Sequence, residues 1–75
     1  MKIHEILEQA RLGDWFRPVR MAGAGSAYTI HNDLLCSVPS KRGATPSYVY
    51  ADELKGEWEF VTPDAVLLEC EKWSQ

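Results

Sequence analysis

The sequence predicts a small α+β domain: an N-terminal helix packed on a small antiparallel β-sheet, with residues 1–75 forming a single unit. Three patterns predict it. Apolar residues open the chain at helical spacing, short alternating runs separated by Gly, Asn and Asp turns follow, and the tail begins with a helix-cap signature.

A chain of 75 residues has room for one core, and at this size folding buries only roughly 60% of the surface exposed by the unfolded chain. Domains this small usually gain stability from disulfides, a metal or self-association. Cys36 and Cys70 are too few for a disulfide scaffold, and no Cys/His pair has zinc spacing. The expectation is therefore free thiols, no metal, no cofactor, and a homo-oligomer, either dimer or tetramer. No apolar segment follows Met1-Lys2 to direct export, and no run approaches the roughly 20 residues of a membrane span. A reducing, cytoplasmic setting follows, with no membrane partner.

Ile3, Ile6, Leu7 and Ala10 fall at i, i+3, i+4 and i+7 with polar residues between them, which predicts a helix over 3–12 ended by Gly13. Trp15 to Arg20 reads as a strand, with Pro18 placing it at a sheet edge or beside a bulge. Ala22-Gly23-Ala24-Gly25 is a turn. Ser26 to His31 is the next strand, with Ala27, Thr29 and His31 on one face and Tyr28 and Ile30 on the other. Asn32-Asp33 turns the chain into a strand over Leu34 to Val38.

Pro39 to Ser47 reads as a long loop, followed by a short extended piece at Tyr48 to Tyr50. Ala51 to Lys55 is one helical turn closed by Gly56, and Glu57 to Val61 is a strand with Trp58 and Phe60 on one face. Leu54, Trp58 and Phe60 are the expected buried anchors of this part. Thr62-Pro63-Asp64 then combines an N-cap, a proline at N1 and an acid in the first turn. Val66, Leu67, Cys70 and Trp73 follow at helical spacing; a strand over 66–70 fits the same run, and the cap favours the helix.

The net charge of −3 is unevenly spread. Residues 1–50 carry six basic and four acidic side chains, and 51–75 carry two basic and seven acidic. The first part suits a small anionic ligand and the last third a basic protein partner, while the total speaks against DNA or RNA.

Gly23-Ala24-Gly25-Ser26 offers bare backbone amides of the kind that approach phosphate, although without a following helix an ordinary hairpin turn explains it as simply. Ser40-Lys41-Arg42-Gly43 offers two cations, a hydroxyl and a permissive backbone, against the plain alternative of a solvated loop. Of the aromatics, most belong to the core, and one or two at a subunit interface could stack a base for about 1–3 kcal/mol. His4, at a helix start, and His31, at a turn, form no catalytic arrangement with Cys36 or the carboxylates, so a non-enzymatic protein is expected.

The order of helix 3–12, Gly13, Phe16-Arg17-Pro18, the Gly23/Gly25 turn, a strand, a loop and then Ala51-Asp52-Glu53-Leu54-Lys55-Gly56-Glu57-Trp58-Glu59-Phe60-Val61 resembles the second family of Thoeris anti-defence proteins. Asp52, Leu54, Trp58 and Glu59 match that family's ending in order and spacing. The likeness covers residues 3–61, with 62–75 as an extension. Met21 stands where the family often carries a tryptophan, and the central loop is shorter than usual. The resemblance implies a phage protein acting in the cytoplasm of an infected bacterial host. It would work as a sponge that holds a cyclic nucleotide or cyclic ADP-ribose-like signal without cleaving it, in pockets between protomers. On that likeness the ligand-binding residues are Arg17, Arg20, Met21, Gly23, Gly25, Tyr28, Lys41, Arg42, Asp52 and Trp58, with the cations on phosphate and Trp58 or Tyr28 on the base. A competing expectation is a small acidic inhibitor that binds a host protein through Glu57, Glu59, Asp64, Glu69 and Glu71.

Overall fold

A five-stranded antiparallel sheet, ordered 45–46, 34–38, 27–31, 15–18, 58–61, packs the N-terminal helix on one face and the C-terminal helix on the other. In this computed structural model the described residues are 1–39, 45–46 and 49–73. The elements are α1 (Ile3–Gln9), β1 (Trp15–Pro18), a 3-10 turn (Val19–Met21), β2 (Ala27–His31), β3 (Leu34–Val38), β4 (Thr45–Pro46), α2 (Ala51–Lys55), β5 (Trp58–Val61) and α3 (Pro63–Trp73). The α+β expectation holds.

Helix α1 begins where the Lys2 amide donates to the Glu5 carboxylate at 2.9 Å, which satisfies one of the amides a helix start leaves over. It ends at Gln9, earlier than its apolar spacing predicts, with Ala10 already extended as the C-cap. Gly13 still adopts a positive φ of 92°, but it serves the turn into β1 instead of closing the helix.

Strand β1 runs between β2 and β5, not at an edge. Pro18 is tolerated there for a reason of registry. It lies opposite Trp58, whose N–H and C=O both turn away to Met1, so the Pro18–Trp58 pair exchanges no backbone hydrogen bond. The missing N–H therefore faces the β2 side, beyond Phe16↔Tyr28, where those two strands register. Strands β2 and β3 form a hairpin through Asn32 and Asp33, both with positive φ (52° and 62°). Thr45 and Pro46 add β4 to the outside of β3 within what the sequence predicts as loop.

The alternation of β2 holds as expected and separates two cores. On one face Phe16, Tyr28 and Trp58 bury with Ile6 of α1, and Met21, Ile30 and Val49 pack around them. On the other face Ala27 and Val38 bury with Val66 of α3, flanked by Trp15 and Val61. Burying a side chain of this size contributes roughly 2 kcal/mol. Helix α3 is therefore part of the domain, capped as predicted by the Thr62 hydroxyl accepting from the Ala65 amide at 3.2 Å. Of the expected anchors around β5, Trp58 is buried, whereas Leu54 and Phe60 are 44% and 36% exposed. In the short turn of α2 it is the Glu53 side chain, 10% exposed, that is covered instead of Leu54, and the Glu53 backbone carbonyl accepts the Trp58 indole N–H at 2.8 Å. Cys36 is buried and Cys70 half-buried, and neither forms a disulfide.

Candidate functional site

The glycine turn and the buried arginine of β1 converge on one carboxylate. Gly23 and Gly25 have φ of 83° and 78°, values that side chains disfavour, and this backbone aims two nearby amides to the same side. Arg17 faces the same space from β1 and is 4% exposed. Glu69, three residues after buried Val66 and so on the inward side of α3, fills it.

Each oxygen of Glu69 receives one guanidinium and one amide hydrogen bond. Arg17 Nη1 and the Gly25 amide donate to Oε1 at 2.6 and 3.0 Å. Arg17 Nη2 and the Gly23 amide donate to Oε2 at 2.9 and 3.2 Å. Arg17 Nη1 also donates to the Ser26 carbonyl at 3.2 Å, and the Cys70 thiol donates to the Gly25 carbonyl at 2.8 Å. The arginine hydrogen bond, with smaller help from the Gly25 amide, the arginine's charge and the Gly23 amide, outweighs burial and holds the Glu69 carboxyl down at about 2. The same hydrogen bond raises the Arg17 guanidinium against the opposing effect of burial. Arg17 Nε is buried with no partner among the described residues.

The residues expected to share a ligand site divide between the two faces of the sheet. Arg17, Gly23 and Gly25 lie with α3. Tyr28 and Trp58 lie in the core under α1, with Met21 packed against it. Arg20 reaches Glu53 of α2 at 2.5 Å, and Asp52 is exposed on the same short helix. Trp58 is 1% exposed and Tyr28 8%, so neither ring offers a base a stacking surface. Their rings pack against each other at a 44° tilt instead, with centroids 5.8 Å apart, and burial pushes the Tyr28 phenol up. Lys41 and Arg42, with most of the expected central loop and Tyr48, lie outside the described residues.

The expected acidic partner surface is also reduced. Glu69 points inward, and Glu57 holds the N-terminal amine at 3.0 Å and Lys2 at 2.9 Å. Glu59 is half-buried, which leaves Asp64 and Glu71 exposed on α3. The residue that sequence reasoning misplaced is thus Glu69. Its position one turn after Val66 and beside Cys70 was the available signal, because an acid on the apolar side of an amphipathic helix needs a buried partner.

Two clefts beside the end of α1 are lined by described residues. One of about 310 Å³ lies beside Gln9, Asp14, Trp15, Phe60 and Thr62. The other, about 220 Å³, is an apolar groove between Leu7, Ala10, Leu12 and Ile30. Neither includes Arg17 or the glycine turn. Among the described residues no group of His, Cys, Asp and Glu is arranged to hold a metal ion, and no helix is long and apolar enough to cross a membrane. No protein-family model, no curated protein and no solved structure matches the chain.

Proposed function

We propose that this chain is a non-enzymatic binding protein that sequesters a small phosphate-bearing ligand, in keeping with its resemblance to phage anti-defence sponges for cyclic nucleotide-type or cyclic ADP-ribose-like signals. The observation that carries the reading is the oxyanion receptor at the glycine turn. Arg17 Nη1 and Nη2 and the Gly23 and Gly25 amides supply four donors directed at one group, two to each oxygen. A planar guanidinium beside paired backbone amides is the chemistry that holds phosphate oxygens as well as carboxylate. With Trp58 and Tyr28 in the core, phosphate recognition, not base stacking, is the part of the site this protomer supplies.

Self-association belongs to the same proposal. Leu7, Leu12, Leu67 and Leu68 are 50%, 95%, 45% and 59% exposed, apolar surface that a small domain gains by covering. The inhibitor reading draws less support, because Glu69 is committed inside the fold and Glu57 is paired at the surface with Lys2 and the N-terminal amine.

Titration calorimetry against cyclic nucleotides and cyclic ADP-ribose isomers tests the proposal. Binding tighter than about 10 μM, about −7 kcal/mol, with intact ligand recovered after heat denaturation, is expected. No binding at that level across the panel removes it. Light scattering is expected to report a dimer or tetramer at micromolar concentration.

A further inference from the structure

We propose that Glu69 is a built-in competitor for the oxyanion receptor and α3 its gate, so that a dianionic phosphate group, a diphosphate or a terminal phosphate, enters by displacing the Glu69 carboxylate and lifting α3 from the sheet. The inference rests on the sequestration reading above and specifies how that site opens and what charge it selects.

Three observations carry it. First, the receptor is fully formed around an anion that belongs to the chain itself: all four donors reach Glu69, at 2.6 to 3.2 Å. Any external anion at Arg17, Gly23 and Gly25 must take the place of that carboxylate. Second, the pair uses only the Nη1/Nη2 end of the guanidinium. Arg17 Nε is buried and unpartnered among the described residues, in a side chain 4% exposed. A phosphoryl group brings additional acceptor oxygens and a second negative charge, and so has more to offer the guanidinium than the group it displaces.

Third, α3 is held to the sheet by few side chains. Val66 is its one fully buried residue among those described, Glu69 and Cys70 clasp the glycine turn, and Leu67 and Leu68 face outward. Lifting α3 about Thr62 exposes the receptor while leaving the Ile6, Phe16, Tyr28 and Trp58 core on the opposite face intact. Glu69 is tethered to the site it fills and acts at high effective concentration. A monoanionic ligand therefore meets an equal charge already in place, whereas a dianion gains over it.

Inorganic pyrophosphate is the probe, titrated into the full chain and into Glu69→Gln, which keeps the side chain's shape and removes its charge. Because the apparent affinity scales with the fraction of open receptor, the variant is expected to bind at least ~10-fold tighter. Perturbed Gly23 and Gly25 amide resonances are expected in both proteins, and acetate at equal concentration is expected to produce neither effect. Binding by Glu69→Gln alone overturns entry by displacement and leaves the receptor standing. Equal affinity of the two proteins overturns the gate and leaves sequestration standing. Absence of binding by both overturns the gate and the receptor together. Hydrogen exchange on the native protein keeps the test independent of how the variant folds: pyrophosphate should accelerate exchange of the α3 amides over 66–72, and unchanged or slower exchange there overturns the proposal.

Discussion

Arg17 and Glu69, 52 positions apart in sequence, face each other in a two-pronged ion pair with contacts of 2.6 and 2.9 Å. The pair joins an inner strand of the sheet, β1, to the C-terminal helix. Glycine amides complete its coordination, so the same contacts that dock α3 also describe an anion receptor.

Acid should loosen that docking. Glu69 titrates at about 2 in the fold against an ordinary value of 4.5. A folded value below the unfolded one means that the carboxylate's contribution to stability is complete above about pH 4.5 and is lost as the pH falls toward 2. Urea midpoints of the native protein and Glu69→Gln should therefore converge between those limits. Glu57, also held low by Lys2 and the N-terminal amine, is common to both proteins and cancels. A gap that stays constant from pH 6 to about 2.5 would contradict the assignment.

Trp58 anchors the core beneath α1. It is 1% exposed, lies 6.1 Å from Phe16 and 5.8 Å from Tyr28 by ring centroids, and gives its indole N–H to Glu53. Trp58→Ala should destabilise the domain by about 3–5 kcal/mol. Trp58→Phe, which keeps a ring but leaves the Glu53 carbonyl without its donor, should lose about 2 kcal/mol. Denaturant melts decide this, and a loss below about 1 kcal/mol for the alanine variant is incompatible with the burial.

The start of α3 depends on the Thr62 hydroxyl and its hold on the sheet depends on Val66. Thr62→Ala should cost about 1 kcal/mol. Val66→Ala, which removes two fully buried methyl-sized groups, should cost about 2 kcal/mol. Both variants should speed amide exchange in α3 before it changes in β1 or β5; equal protection loss across the sheet would show that α3 does not open on its own.

The β2–β3 hairpin contains a correctable strain. Asp33 has φ of 62°, where an L side chain is disfavoured and glycine is not. Asp33→Gly creates the Asn-Gly pair suited to a two-residue hairpin turn, and thermal melting should show a gain of about 0.5 kcal/mol after the glycine's greater unfolded-state freedom is offset. Destabilisation would mean that the Asp33 side chain contributes to the turn.

Local patterns made the individual elements legible. The helical spacing at Ile3 and Ile6, the alternation from Ala27 to His31, the paired turn residues Asn32 and Asp33 and the cap at Thr62 each act within a few residues of chain, and each element formed where its pattern lay, although α1 stopped short at Gln9. Boundaries that depend on distant partners were less legible. Trp58 turns its backbone to Met1, and that decides how Pro18 can sit inside the sheet.

The candidate site was legible in part. Arg17, Gly23 and Gly25 are close in sequence and were grouped by the family resemblance, whereas the residues by themselves read first as a strand and an ordinary hairpin turn. Trp58 and Tyr28 join that set only in sequence, because alternation along a strand sends neighbouring residues to opposite faces. Tertiary structure alone assigned Glu69 to the receptor. Its place on the apolar side of α3 calls for a partner without saying which, and Arg17 is chosen only when α3 folds back across the sheet to meet it.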